Sequence, residues 1–167
     1  KRLITSYPKF EVKKYGLPPE LIKSLFRYEV LHRVWHRRMP HKLRSQVDIV
    51  PWFCEKYDRA CAKHIPNDTD IYIGQATRCE HGLTRSRKLG AITIVDRGSS
   101  HAQYNKEILQ EEYNKLGVKK WLPPDRIIEK ELREYELADY ILIPSEFVRR
   151  SFIEKGISDS KLIKIPY

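Results

Sequence analysis

The run Asp96-Arg97-Gly98-Ser99-Ser100-His101 collects residue types that bind anions and sugar hydroxyls. A glycine lets the backbone approach a ligand closely, and two serines offer hydroxyls and amides at a helix start. The arginine adds charge and the histidine a proton-sensitive hydrogen bond. The same residues have a plainer use, in which Ser99 or Ser100 caps the following helix and His101 packs at the surface. Spacing leaves both readings open. A Ser/His nucleophilic pair is disfavoured, because neighbours at a helix start do not aim at one another and no orienting carboxylate is identifiable. Arg97 suits a ligand phosphate and a carboxylate partner equally well.

The densest basic run is Arg33, Arg37, Arg38, Lys42 and Arg44, with His32, His36 and His41 among them and no acidic residue between. Coupled to the apolar face of the helix it follows, it suits a membrane-facing patch on anionic lipid, where each basic side chain contributes ~1 kcal/mol. The plain counterpart is a helix whose basic face is simply solvated. Trp35, Trp52 and Tyr57 lie nearby and motivate nucleic-acid binding as a rival, although no recognised motif accompanies them. His32 and His36 have only Glu29 at ligand spacing, and Cys54 and Cys61 are two helical turns apart. No metal site is expected, and the cysteines read as core residues.

The elements that must hold these residues follow from periodicity. Leu3 to Tyr7 reads as a strand closed by Pro8. Leu21, Leu25, Tyr28, Leu31 and Trp35 share one face of a helix from Pro19 to Met39, and a second helix runs from Pro51 to Lys63. Beyond Asp70 the pattern alternates. Strands are expected at 70–74, 91–95, 138–143 and 162–165, with helices at 77–89, 101–116, 124–137 and 145–156, Gly82 being a weak point in the first of these. Short, continuously apolar strands separated by helices are the signature of a parallel sheet covered on both faces, so the fold class is α/β, Rossmann-like. Ligands of such sheets gather beyond the carboxyl ends of the strands. Those positions carry Thr5 and Ser6, Gln75 and Thr77, Arg97 to His101, and Ser145 and Glu146.

Composition agrees with one ordinary domain. The chain has 167 residues, 41% of them hydrophobic, with a formal net charge of +10 that fits an anionic partner. Three cysteines, an odd number, argue for a reducing compartment, and no run is apolar enough to span a bilayer, so a cytoplasmic protein is expected.

From Arg97 to Tyr167 the sequence resembles the N-terminal domain of family 4 glycosyltransferases. The likeness is carried by Arg97-Gly98-Ser99-Ser100-His101 followed by Glu111-Glu112, and by Glu131-Leu132-Arg133-Glu134-Tyr135-Glu136-Leu137-Ala138-Asp139-Tyr140. It continues through Ile143-Pro144-Ser145-Glu146-Phe147-Val148, Ser151-Phe152, Lys155-Gly156 and Ile165-Pro166-Tyr167. The resemblance implies the N-terminal, acceptor-side half of a GT-B fold over residues 1–167, without the family's usual first strand and with the donor domain outside this chain. It implies a retaining enzyme that takes a nucleotide-sugar as co-substrate, with no cofactor or metal held by this domain, and a sugar or lipid-linked acceptor. On that reading His101 is catalytic; Arg97, Gly98, Ser99, Ser100, Ser145 and Glu146 bind the acceptor; and the protein works in the cytoplasm, peripherally on the membrane. The fragment alone is expected to be inactive. A nucleic-acid-binding module and a noncatalytic ligand-binding Rossmann-like module are the alternatives.

Overall fold

The computed structural model describes residues 1–40 and 49–166. The chain divides into two compact units, residues 1–66 and 67–167. Both belong to the α/β class, with every paired strand among the described residues parallel.

In the first unit β1 (Leu3–Thr5) pairs with β2 (Ile22–Ser24), Leu3 opposite Ile22. Between them lie the short helix α1 (Lys9–Val12) and two 3-10 turns, and after them come α2 (Phe26–Arg38) and α3 (Val50–Ala62). The helix expected from Pro19 therefore begins only at Phe26. A lone strand β1 would leave its amide and carbonyl groups without partners, and residues 22–24 supply them; Leu25 extends the ladder by donating its N–H to Thr5 O at 2.7 Å. Leu25, Phe53, Tyr57, Ala60 and Cys61 form the core of this unit. Tyr28 packs edge-on against Phe53 and Tyr57, with ring centroids 6.0 and 5.6 Å away.

The second unit carries a four-stranded sheet in the order β3 (Ile71–Gln75), β4 (Ile92–Asp96), β5 (Tyr140–Ile143), β6 (Leu162–Lys164). The connections are α4 (Glu80–Lys88), α5 (Ala102–Lys115) with α6 (Asp125–Leu137), and α7 (Glu146–Glu154). Each crossover steps one strand in the same direction, so connections of one hand bring all the helices to one face. That face holds Val95, Ile141 and Ile143, buried with Leu83, Ile128, Tyr135, Val148 and Phe152. On the other face Ile71, Ile73, Ile92 and Tyr140 are exposed. The expectation of strands covered on both faces is thus corrected by the strand order.

Gly82, read as a weak point of α4, is a packing device. A Cβ there would lie 2.1 Å from the Tyr72 hydroxyl, so the missing side chain makes room for the Tyr72 ring beneath the helix. Helix α7 starts as its sequence suggests, the Ser145 hydroxyl accepting from Val148 N, and terminates before Gly156, whose φ of 84° suits glycine. Cys54, Cys61 and Cys79 are buried.

Candidate functional site

The segment 97–101 leaves the carboxyl end of β4 and is held on several sides. Arg97 N donates to Leu142 O on the neighbouring strand at 3.0 Å. The Arg97 side chain turns back, Nε donating to Ser100 O at 3.2 Å and a terminal nitrogen meeting the Glu131 carboxylate at 3.2 Å. Of the two roles open to Arg97, the structure displays the carboxylate pair. Asn105 Nδ2 donates to the hydroxyls of both Ser99 and Ser100 at 3.2 Å, tying the two serines to the first turn of α5. Gly98 is exposed and Ser99 half-buried.

His101 occupies the cap position of α5, but its ring points into the core. It is 2% exposed and sits 5.3 Å from the Tyr135 ring and 5.1 Å from Phe152. Its backbone N–H donates to Ser151 Oγ on α7 at 3.0 Å, and its Nδ1 has no hydrogen-bond partner among the described residues. Burial, reinforced by the positive charges of Lys155 and Arg97, brings its pKa down to about 4, so the imidazole is neutral at pH 7.

The loop after β3 is built around a carboxylate that sequence reasoning did not single out. Glu134, fully buried, accepts from Thr77 N at 2.6 Å, Cys79 N at 3.0 Å and Glu80 N at 3.2 Å. Thr77 has φ of 74°, a left-handed backbone unusual for a β-branched residue, and this turn brings the amides onto one carboxylate. Lys130 bridges Glu134 at 3.6 Å and Glu80 at 3.2 Å, and Arg133 completes the network on Glu80 at 2.8 Å. Burial works to raise the Glu80 carboxyl, yet Arg133 and Lys130 bring it below its ordinary value.

Glu131 and Glu134 are three apart on α6, so one helix face braces the loops after two adjacent strands: Glu131 holds Arg97 and Glu134 holds residues 77–80. Burial raises the Glu131 carboxyl above its usual range despite Arg97, and the Tyr135 hydroxyl donates to it at 2.7 Å. A signal was present in the sequence. The two carboxylates recur at helical spacing with Ile127, Ile128 and Tyr135, on a face that should be apolar, and carboxylates there need dedicated partners.

The remaining expected residues are engaged locally. Ser145 caps α7, and the exposed Glu146 pairs with Lys164 at 2.5 Å and Arg149 at 3.6 Å, its carboxyl lowered chiefly by Lys164. In the first unit the buried Ser6 donates to Glu29, which also pairs with Arg33 at 2.8 Å. Arg37 and Arg38 are exposed on α2; Lys42 and Arg44 lie outside the described residues. A depression of about 410 Å³ lined by Arg87, Gly90, Ala91, Ile92, Asp139 and Tyr140 opens at the opposite, amino-terminal edge of the sheet, away from the 97–101 loop. Among the described residues, no helix is long and apolar enough to cross a membrane. Comparison with protein-family models, curated proteins and solved structures finds no match.

Proposed function

We propose that this chain forms the acceptor side of a retaining glycosyltransferase, which moves a sugar from a nucleotide-sugar to an acceptor in glycan, glycolipid or polysaccharide synthesis. The observation that carries the reading is the braced segment 97–101 at the carboxyl end of β4. It is a glycine and two hydroxyls held in place by Arg97, Asn105 and Glu131, at the edge of a parallel sheet where ligands gather. The resemblance of residues 97–167 to family 4 glycosyltransferases supports the same assignment. In this reading Gly98 and Ser99 meet the acceptor, and Ser100 and Asn105 fix their geometry. His101, neutral and packed against Tyr135 and Phe152, sets the start of α5 by filling the space beneath it with its ring, which alanine would leave empty. The donor half of the cleft comes from a second Rossmann-like domain, and the reaction runs on the cytoplasmic side of a membrane.

The test is sugar transfer by the full-length protein across a panel of nucleotide-sugars and acceptors. Ser99→Ala is expected to raise the acceptor KM roughly 3- to 10-fold, the loss of one hydrogen bond, with the donor KM unchanged. His101→Ala is expected to lower kcat. An undiminished rate in His101→Ala removes that residue from the mechanism, and a full-length protein that transfers no sugar from any donor defeats the proposal.

A further inference from the structure

Helix α2 presents two faces of different character. Tyr28 and His32 pack against Phe53 of α3, His32 with its ring centroid 5.2 Å away. The outward face is not polar throughout, as a merely solvated face would be. Phe26, Val30, Leu31 and Val34 are 55%, 49%, 53% and 47% exposed. Phe26, Val30 and Val34 recur every four residues, which lays them along one stripe spanning roughly 80° of the helix. On that projection Arg33 borders the stripe on one side, Arg27 and Arg38 border it on the other, and Arg37 falls within it one turn beyond Val34, all four exposed. The carboxylate on this helix is Glu29, which pairs with Arg33, and Glu11 of α1 lies close enough to act on the same arginine.

We infer that the outward face of α2 docks on an anionic lipid surface, with Phe26, Val30 and Val34 entering the headgroup boundary and the arginines meeting lipid phosphates. Charge complementarity selects the occupant, and the aliphatic residues separate it from nucleic acid. Arginines alone serve either polyanion, but bases stack on aromatic rings and give valines no apolar environment, whereas the acyl boundary does. A cluster of exposed large apolar side chains rimmed by positive charge is what an interfacial helix requires. The inference stands apart from sugar transfer: a protein without transferase activity would bind the same vesicles.

The experiment is co-sedimentation of the purified chain with vesicles of pure phosphatidylcholine and of phosphatidylcholine containing phosphatidylglycerol at about one third. Binding is expected to the anionic vesicles and not the neutral ones. Arg37→Gln with Arg38→Gln should weaken it roughly 30-fold, from two basic side chains near an anionic surface. Val30→Ser with Val34→Ser should weaken it at least tenfold at unchanged charge. Circular dichroism of both variants, altered only at exposed positions, verifies that the fold survives. No preference for anionic vesicles overturns the inference. So does full binding by the valine double variant, which would mark plain electrostatic adsorption, or a preference for an oligonucleotide of equal charge over the vesicles.

Discussion

Replacing Glu134 by Gln changes no volume and tests the central brace of the second unit. The carboxylate accepts three backbone N–H groups, and Lys130 lies 3.6 Å away. The amide has one oxygen. Turned toward Cys79 and Glu80 it keeps those two bonds in weaker, neutral form, and it then sets its own NH₂ against Thr77 N–H, a donor facing a donor. Two charge-assisted bonds reduced to neutral ones cost ~1 kcal/mol each, and an unsatisfied Thr77 amide costs ~1–3 kcal/mol more. These losses sum to ~3–5 kcal/mol, and Lys130, which keeps Glu80 at 3.2 Å, adds little to them. Against a domain stability of ~5–15 kcal/mol this is a large fraction. With a urea slope of ~2 kcal/mol per molar, the midpoint should fall by ~2 M. Glu136→Gln, exposed on the same helix, is the control and should cost under ~0.5 kcal/mol. Amide hydrogen exchange at Thr77, Cys79 and Glu80 should accelerate in the Glu134 variant alone. Equal urea midpoints for the two variants would refute the reasoning, because they would mean that Glu134 is no better partnered than a surface carboxylate.

Gly82→Ala should destabilise by ~1–3 kcal/mol despite the better helix propensity of alanine, because its Cβ meets the Tyr72 ring; thermal melts of Gly82→Ala with and without Tyr72→Ala check this, the second change being expected to remove the penalty. Ser145→Ala should cost ~1 kcal/mol through the lost cap of α7, read by chemical denaturation. His101 gives a pH dependence of definite sign. The unfolded imidazole takes its proton near 6.5 and the folded one only at about 4, so its contribution is complete above pH 6.5 and is lost as pH falls toward 4. This amounts to ~3 kcal/mol, and denaturation at pH 7 and pH 4.5 should show a smaller acid loss in His101→Phe than in the parent; equal losses would mean that the ring is solvated.

Much of the second unit was legible because its signals are local. The apolar runs that became β3, β4, β5 and β6 are bounded by turn residues, and the serine before Glu146 caps α7 as its type suggests. Strand β2 was not legible, since Leu21 and Leu25 fit a helical period and only the need of β1 for a hydrogen-bonding partner makes residues 22–24 extended. Leu31, expected on one face with Tyr28, is exposed for a related reason: several apolar positions around one helix cannot all face one core, and the sequence does not say which are left out.

By itself the sequence determined the α/β class, the element order after residue 67 and the concentration of polar groups after β4, because periodicity, turn residues and caps act over a few positions. The tertiary structure alone decided the rest. It assigned Arg97 to Glu131, drew the His101 ring inward against Tyr135 and Phe152, and brought the amides of 77, 79 and 80 onto Glu134 across more than fifty positions. Buried polar groups must find partners wherever packing puts them, and no local pattern records which partner is near.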